Sequence, residues 1–200
     1  MINTNEHFEK ISSEITYKIY PYLIQDLKEN YNHSFENKSI LEIGVGPGHL
    51  FEQVIKCNFR TSIGIDISND MLDRARKRCN LYNNDLLKNA SAENLPFKNN
   101  EFDIVLSRGS VFFWDNLNIC FKEIFRVLKK DGLAFIGGGY GLSTPDNIID
   151  DIFEYYKTRD SKKEKPKLDP WECANMMNKI GGYCEVLMKK KHGFWLKWNK

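Results

Sequence analysis

The sequence has no long apolar run, no internal repeat, no low-complexity tract and no strong excess of one charge sign. A membrane-spanning helix needs about 20 consecutive apolar residues, and no segment approaches that length. The 29 basic and 27 acidic side chains leave a formal net charge of +2, too little to draw the whole molecule towards nucleic acid or a membrane surface. These absences argue against a membrane protein and against a general nucleic-acid binder.

Cysteine and histidine are present, but they lack the spacing of a disulfide framework or a metal site. The five cysteines form no C-x-x-C pair, and their odd number is typical of reduced thiols in a cytosolic protein. The first ten residues carry several charges and lack the apolar core of a signal peptide. No ligand spacing joins the four histidines, His7, His33, His49 and His192. We therefore expect a cytoplasmic protein without a metal site.

From residue 39 onwards the chain alternates between strand-like and helix-like segments. Amphipathic helical stripes separate most of the strand-like runs. Such alternation predicts an α/β fold, with a doubly wound parallel sheet, helices on both faces and right-handed crossovers. The apolar runs of strand length occupy residues 40–45, 61–67, 86–92, 102–107 and 133–137.

The two ends of the chain differ from this alternating core. Residues 1–38 are predicted to be helical, and residues 140–182 to contain two more helices, each opened by a proline. The last two strand-like runs, 183–188 and 194–198, are separated by too few residues for a parallel crossover. They should therefore form an antiparallel hairpin near the edge of the sheet.

Three glycines mark the junction between the first predicted strand and the helix after it. Gly44, Gly46 and Gly48 lack a Cβ, so the backbone can turn tightly and approach a ligand, while the helix start offers free N–H groups. Ligands of open α/β sheets bind at such strand ends. The spacing is G-x-G-x-G with His49 in place of a third glycine, which departs from the dinucleotide pattern G-x-G-x-x-G. An ordinary strand-to-helix turn is the alternative.

Asp66 closes the second predicted strand, twenty positions after Gly46. A carboxylate at that place can accept hydrogen bonds from both hydroxyls of a ribose, so the two features together indicate an adenosine-containing ligand. The alternative is that Asp66 caps the helix that follows, although Ser68 is better placed for that role.

Four segments together resemble the motifs of class I S-adenosylmethionine (SAM)-dependent methyltransferases. LEIGVGPG at 41–48 is similar to the first motif of this family, and GIDIS at 64–68 is similar to its ribose and adenine segment. Residues 91–97 resemble its adenine-side loop, and residues 123–132 resemble the helix and turn before its fifth strand. The resemblance covers about half of the chain. It implies a Rossmann-like, mostly parallel sheet of seven strands whose last strand is antiparallel and inserted between its neighbours.

The resemblance also implies roles for individual residues. Glu42 would orient the methionine amino group, Asp66 would hold the ribose, and Ile67 would flank the adenine. Ser91 stands where the family often has Asp, which predicts a weaker or shifted hydrogen bond to the adenine. The residues implied to bind SAM and its product, S-adenosylhomocysteine (SAH), are Glu42, Gly44, Val45, Gly46, Gly48, Asp66, Ile67, Met71, Ser91, Ala92, Glu93, Ser107, Arg108 and Gly109.

The sequence predicts no catalytic side chain, because the sulfonium of SAM activates the methyl group and the protein supplies placement and electrostatics. Segments after the fourth and fifth strands should border the acceptor. Trp114 and Tyr140 are therefore substrate candidates, joined by Tyr17 and Tyr20 if the amino-terminal helix covers the cofactor. Packing beneath a helix is the alternative for the aromatic residues after the fourth strand.

We expect a single domain over residues 1–200, made of a helical cap (1–38), a SAM-binding core (39–139) and a substrate-side part (140–200). The substrate-side part is small and carries no nucleic-acid module, which favours methyl transfer to a small metabolite by in-line displacement. The alternatives are a non-catalytic SAM-binding sensor, a protein methyltransferase and a nicotinamide dehydrogenase. A further alternative is a nucleic-acid methyltransferase, suggested by the lysines at 189–191 and by those at 162, 163, 165 and 167 in the charged segment 157–167. Monomer and homodimer both stay open.

Overall fold

The computed structural model describes residues 16–31, 34–82, 85–157 and 168–200. The seven strands are β1 (Ser39–Ile43), β2 (Thr61–Asp66), β3 (Leu87–Asn89), β4 (Phe102–Arg108), β5 (Leu128–Gly139), β6 (Tyr183–Lys189) and β7 (Gly193–Asn199). The α-helices are α1 (Tyr20–Asn30), α2 (His49–Ile55), α3 (Asn69–Cys79), α4 (Leu117–Val127), α5 (Asp146–Lys157) and α6 (Pro170–Ile180), with short 3-10 helices at Thr16–Ile19 and Val111–Phe113.

The strands form one sheet in the order β3-β2-β1-β4-β5-β7-β6. The first five strands in the chain pair in parallel, and β7 is antiparallel to both of its neighbours, β5 and β6. The predicted fold is confirmed, including the inserted antiparallel strand. The chain runs outwards from β1 to β3 and resumes at β4. In open α/β sheets such a reversal of strand order marks the ligand-binding crevice, here at the carboxyl ends of β1 and β4.

Side chains alternate between the two faces of the sheet, and helices cover both faces. Along β7, Phe194, Leu196 and Trp198 belong to one hydrophobic cluster, whereas Trp195 belongs to the other. The cluster that contains Trp195 also takes buried residues from α1, α2, α3 and α5. The opposite cluster takes buried residues from α4 and α6. This two-sided packing is the doubly wound arrangement that strand-helix alternation predicts.

Local sequence signals account for the helix boundaries. Ser68 caps α3 through its side chain, and Asn80 ends the helix in the left-handed conformation. Asp169 caps α6 by accepting the N–H groups of Trp171 and Glu172, and Pro170 follows in the first turn. The predicted amino-terminal helical residues before Thr16 and most of the charged segment before α6 lie outside the described residues.

Two predicted strands have different bounds in the structure. β3 contains only three residues, Leu87–Asn89, and is shorter than the predicted run. β5 begins at Leu128, before the predicted turn, because Leu128 already pairs with Phe102. Asp131 then adopts a φ of 62°, and pairing resumes between Ile104 and Leu133. The predicted turn is therefore an irregularity inside the strand.

The described residues bear on disulfides, membrane spans and metal sites. All five cysteines are free, and four of them are buried. No helix in the described residues has the length and hydropathy needed to cross a bilayer. The described part of the chain also contains no group of three or more His, Cys, Asp or Glu side chains placed to hold a metal ion.

A loop after β5 is held from two sides by buried side chains. Asp26 of α1 is 2% exposed, and its carboxylate accepts the N–H groups of Leu142 and Ser143. From the β6–β7 turn, the buried Nδ1 of His192 lies 2.8 Å from the carbonyl oxygen of Gly141. Residues 141–143, called the cap loop below, are thereby fixed to α1 and to the hairpin at the carboxyl edge of the sheet.

We predict that Asp26→Ala lowers the free energy of unfolding by about 2–4 kcal/mol, because two partly buried N–H groups lose their acceptor. Urea denaturation at neutral pH measures the change. Glu29→Ala is the matched control, since Glu29 lies exposed on the same helix, and it should unfold close to wild type. Equal stability of the two variants would contradict the assigned role of Asp26.

Candidate functional site

The loop after β1 turns through three glycines with positive φ. The angles are 75° at Gly44, 52° at Gly46 and 84° at Gly48, a region that other residues enter at a cost of roughly 1–2 kcal/mol. A Cβ on Gly44 would lie 2.3 Å from the Cβ of Ser110, and one on Gly48 would lie 2.8 Å from the Cα of Ala75. A Cβ on Gly46 would meet none of the described residues within 4 Å. Gly46 therefore borders open space, whereas the other two glycines permit close packing.

Asp66 connects this glycine loop to the turn after β2. Its Oδ2 accepts the Gly46 N–H at 2.9 Å, and its Oδ1 accepts the Ser68 N–H at 2.9 Å. The helix cap belongs to Ser68, whose Oγ accepts the N–H of the buried Met71 at 3.3 Å. Each carboxylate oxygen of Asp66 has further lone pairs, and the residue is half-buried. Asp66 thus fixes the loop and can still accept hydrogen bonds from a ligand.

Glu42 is a buried carboxyl, the last residue but one of strand β1 before the glycine loop. The residue is 2% exposed, and nothing in the described parts of the chain hydrogen-bonds its Oε2. Burial raises the pKa of Glu42 well above its usual range, while the charge of Arg108 lowers it and that of Asp66 raises it. A buried polar atom without a partner costs about 1–3 kcal/mol. Glu42 is therefore suited to a ligand group that donates hydrogen bonds and carries positive charge.

The residues predicted to contact adenine lie beyond the ends of β2 and β3. Ile67 is 72% exposed, and Ala92 is buried. The Ser91 Oγ accepts the Glu93 N–H at 3.1 Å, and the Glu93 carboxylate accepts the Asn116 N–H at 2.8 Å, just before α4. Ile67 thus offers apolar surface to a ligand, whereas the side chains of Ser91 and Glu93 make contacts within the protein.

The loop after β4 is tied back to β1 by two serines. The Ser107 Oγ lies 2.6 Å from the Ser110 Oγ, and Ser110 donates to the carbonyl oxygen of Ile43 at 3.0 Å. The Gly109 N–H donates to the carbonyl oxygen of Gly137 at 2.7 Å. Sequence reasoning missed Ser110, because its partner lies 67 residues away in the chain. These contacts hold the loop close to Glu42 and Gly44.

Arg108 and two predicted substrate tyrosines lie on the β4–β5 side of the crevice. The Arg108 Nε donates to the carbonyl oxygen of Gly139 at 3.1 Å, and the guanidinium carbon lies 5.3 Å from the ring centroid of Tyr20. Tyr20 is stacked on the buried His49 with 5.9 Å between ring centroids. Burial raises the pKa of Tyr140, and the charge of Arg108 opposes that rise. The structure therefore brings Tyr20 and Tyr140 towards Arg108.

Of the other two substrate candidates, Trp114 lies on the other face of the sheet and Tyr17 lies beside Tyr20. Trp114 packs edge-on against Phe121 at 6.2 Å and belongs to the hydrophobic cluster on the opposite face from Tyr20. Tyr17 is 51% exposed and lines, with Tyr20, a cavity of about 320 Å³ beside α2. A larger cavity of about 500 Å³ lies between the start of β2 and residues 95–98, away from the glycine loop.

The chain is similar to known proteins in sequence and in fold. Residues 41–136 match a family model described as a methyltransferase domain. An uncharacterized Methanocaldococcus jannaschii protein is 32% identical over 142 residues, which cover 70% of this chain and 62% of that protein. A Rickettsia typhi protein named ubiquinone/menaquinone biosynthesis C-methyltransferase is 31% identical over 128 residues, which cover 60% of this chain and 51% of that protein.

Among solved structures, a Methanococcus maripaludis protein provisionally described as a SAM-dependent methyltransferase superposes with a TM-score of 0.79 at 25% identity. The superposition covers 98% of this chain and 91% of the Methanococcus protein. The curated relatives are longer, and this chain spans only 62% and 51% of the two described above. The matched motifs, the sheet order and these similarities agree, and the chain belongs to the class I SAM-dependent methyltransferase superfamily.

Proposed function

We propose that this chain binds SAM at the glycine loop and transfers its methyl group to a small-molecule acceptor. The observation that carries the proposal is the buried Oε2 of Glu42, which has no partner in the described residues and lies beside a glycine loop that is open at Gly46. An ammonium group would give Glu42 both a hydrogen-bond donor and a compensating charge. The family implies SAM as the cofactor, and the methionine portion of SAM carries such a group.

The rest of the crevice fits the other parts of SAM. Asp66 would accept the ribose hydroxyls on lone pairs that Gly46 and Ser68 leave free. The exposed side chain of Ile67 would lie against the adenine, an apolar contact that removes its surface from water. The further residues of the proposed cofactor site are Gly44, Val45, Gly48, Met71, Ser91, Ala92, Glu93 and the backbone of Ser107, Arg108 and Gly109.

In the reaction, the protein would position the acceptor against the methyl group of SAM. Bound SAM supplies a methyl group already activated by a sulfonium, so no protein nucleophile is needed. The protein must hold the acceptor atom close to the methyl carbon and in line with the sulfur, which can contribute about 7–11 kcal/mol. Tyr20 and Tyr140 lie where the ends of β4 and β5 would border the acceptor, and Asp26 fixes α1 over that edge.

Several observations support a small acceptor. Among the lysines at 189–191, Lys189 lies 3.7 Å from Asp146 and Lys191 lies 2.7 Å from Asp150, so these two charges are paired within the chain. The name of the Rickettsia relative refers to biosynthesis of a quinone.

The five free cysteines support a reducing compartment such as the cytoplasm. We propose that residues 1–200 act as one domain, whether monomer or homodimer.

Transfer of labelled methyl groups from SAM into a cell extract tests the activity. We predict that label enters the low-molecular-weight fraction and that transfer is insensitive to salt, because the acceptor makes no series of phosphate contacts. Label found only in RNA or in protein would overturn the small acceptor. Tight SAM binding without transfer to any fraction would favour a SAM-binding sensor.

Replacement of Asp66 by Ala tests the cofactor site. We predict a loss of SAH affinity of at least about tenfold, because the ribose loses a charged acceptor and the Gly46 N–H loses its partner. Isothermal titration calorimetry measures the change. Asp73→Ala is the control, since Asp73 is exposed on α3, and it should bind like wild type. Wild-type affinity in the Asp66 variant would contradict the proposed ribose contact.

Glu42 should couple cofactor binding to a proton. Burial keeps its pKa raised in the free protein, and an ammonium partner stabilises the carboxylate, so binding lowers that pKa and releases a proton between the two values. SAH affinity should therefore rise with pH across this window, measured below about pH 7, where an α-ammonium stays charged. Glu42→Gln should bind weakly and lose this pH dependence. An unchanged pH dependence in that variant would show that another group releases the proton.

A further inference from the structure

The guanidinium of Arg108 is held in place without using its terminal nitrogens. Its Nε donates to the carbonyl oxygen of Gly139, and its central carbon lies over the ring of Tyr20. Both contacts restrict the side chain, which is half-buried. In the described parts of the chain, no hydrogen bond or ion pair involves the two terminal nitrogens. The two terminal nitrogens of Arg108 are therefore held in place and can donate hydrogen bonds to a ligand.

Such a pair of donors has a defined chemical preference. Arginine donates two parallel hydrogen bonds to a carboxylate or a phosphate, and these charge-assisted bonds are among the strongest in proteins. Glu42 is close enough for Arg108 to lower its pKa, and an ionised Glu42 would repel the second charge of a phosphate. A singly charged carboxylate is therefore the better match.

The position of Arg108 indicates which ligand would bring that carboxylate. The proposed cofactor contacts at Gly46, Asp66 and Ile67 lie at the ends of β1 and β2. Arg108 reaches the other way, because its Nε bonds to the last residue of β5. Directly after Gly139 comes Tyr140, a substrate candidate. The arginine thus lies on the acceptor's side of the crevice.

We propose that Arg108 binds a carboxylate of the methyl acceptor, so that the substrate class is small carboxylic acids. The proposal rests on the proposed methyltransferase function and narrows it. The guanidinium carbon lies over the ring of Tyr20, and Tyr140 is near enough for the charge of Arg108 to lower its pKa. Arg108 is then a residue of acceptor specificity, and at a pH where Glu42 is ionised its loss should change acceptor use without changing cofactor binding.

The test uses labelled SAM, the low-molecular-weight fraction of a cell extract, and three variants. At a pH where Glu42 is ionised in both proteins, we expect Arg108→Gln to bind SAH like wild type but to transfer at least about tenfold less label at limiting extract, with recovery as extract is added. Arg108→Lys keeps the charge but loses the two parallel bonds, so its transfer should be intermediate. Arg60→Gln changes an exposed arginine before β2 and should behave like wild type.

Chemical treatment of the extract identifies the acceptor group. Amidation of carboxylates with a carbodiimide and methylamine should abolish transfer by wild type, whereas phosphatase treatment should leave it intact. Full transfer to amidated extract, or loss after phosphatase, would overturn the carboxylate assignment.

Decarboxylated SAM shows whether Arg108 binds the carboxylate of the cofactor or that of the acceptor. If Arg108 contacted the cofactor carboxylate, Arg108→Gln would lower SAH affinity and leave the affinity for decarboxylated SAM unchanged, which would overturn the acceptor assignment. Failure of wild type to bind SAM or SAH would overturn the proposed function itself. Normal SAH binding and normal extract dependence in Arg108→Gln would overturn the role of Arg108 alone.

Discussion

Parallel pairing of β1 with β2 and β4 is the constraint on which the rest of the crevice depends. Parallel strands end at the same edge of a sheet, so residues far apart in the chain meet there. Glu42 on β1, Asp66 on β2 and Arg108 on β4 each stand at such an end. Charged side chains of both signs are thereby collected around a loop of glycines, without any of them forming an ion pair with another in the described residues.

The burial of Glu42 would be unfavourable in a protein whose only task was to fold. A carboxyl removed from water without a full set of partners reduces stability, and perturbed carboxyls of this kind occur most often at functional sites. Its neighbours do not relieve the cost, because Ser110 hydrogen-bonds Ile43 and Ser107 instead. The same arrangement that makes the buried carboxyl costly makes it suited to a cationic, hydrogen-donating ligand group.

The fold could be predicted because its signals are local. Apolar runs of strand length and helical stripes alternate in the chain, and the short link between β6 and β7 allows only a hairpin. The irregularity in β5 could not be predicted in this way, because pairing of Leu128 with Phe102 depends on the position of a neighbouring strand.

The site was predictable to a lesser degree. Motifs pointed to the glycines and to Asp66, but the hydrogen bond from Gly46 to Asp66 joins two loops and is visible only in three dimensions. Ser110 carries no motif, since its role comes from a carbonyl group on a distant strand. Trp114 and Tyr140 follow adjacent strands and look alike in sequence, yet they join hydrophobic clusters on opposite faces. The face of the sheet on which such a residue packs depends on tertiary contacts, and a short sequence pattern does not encode them.

The cap loop is anchored by segments that can change in sequence independently of the glycine loop. It is anchored by Asp26 from the amino-terminal helix and by His192 from the carboxyl-terminal hairpin, and neither anchor belongs to the strands that carry the glycine loop and Asp66. Exchanges in the outer segments can therefore reshape the surface beside β5 while β1 and β2 stay intact. A lineage of such proteins could diversify its chemistry by altering the chain's two extremities and leaving its centre untouched.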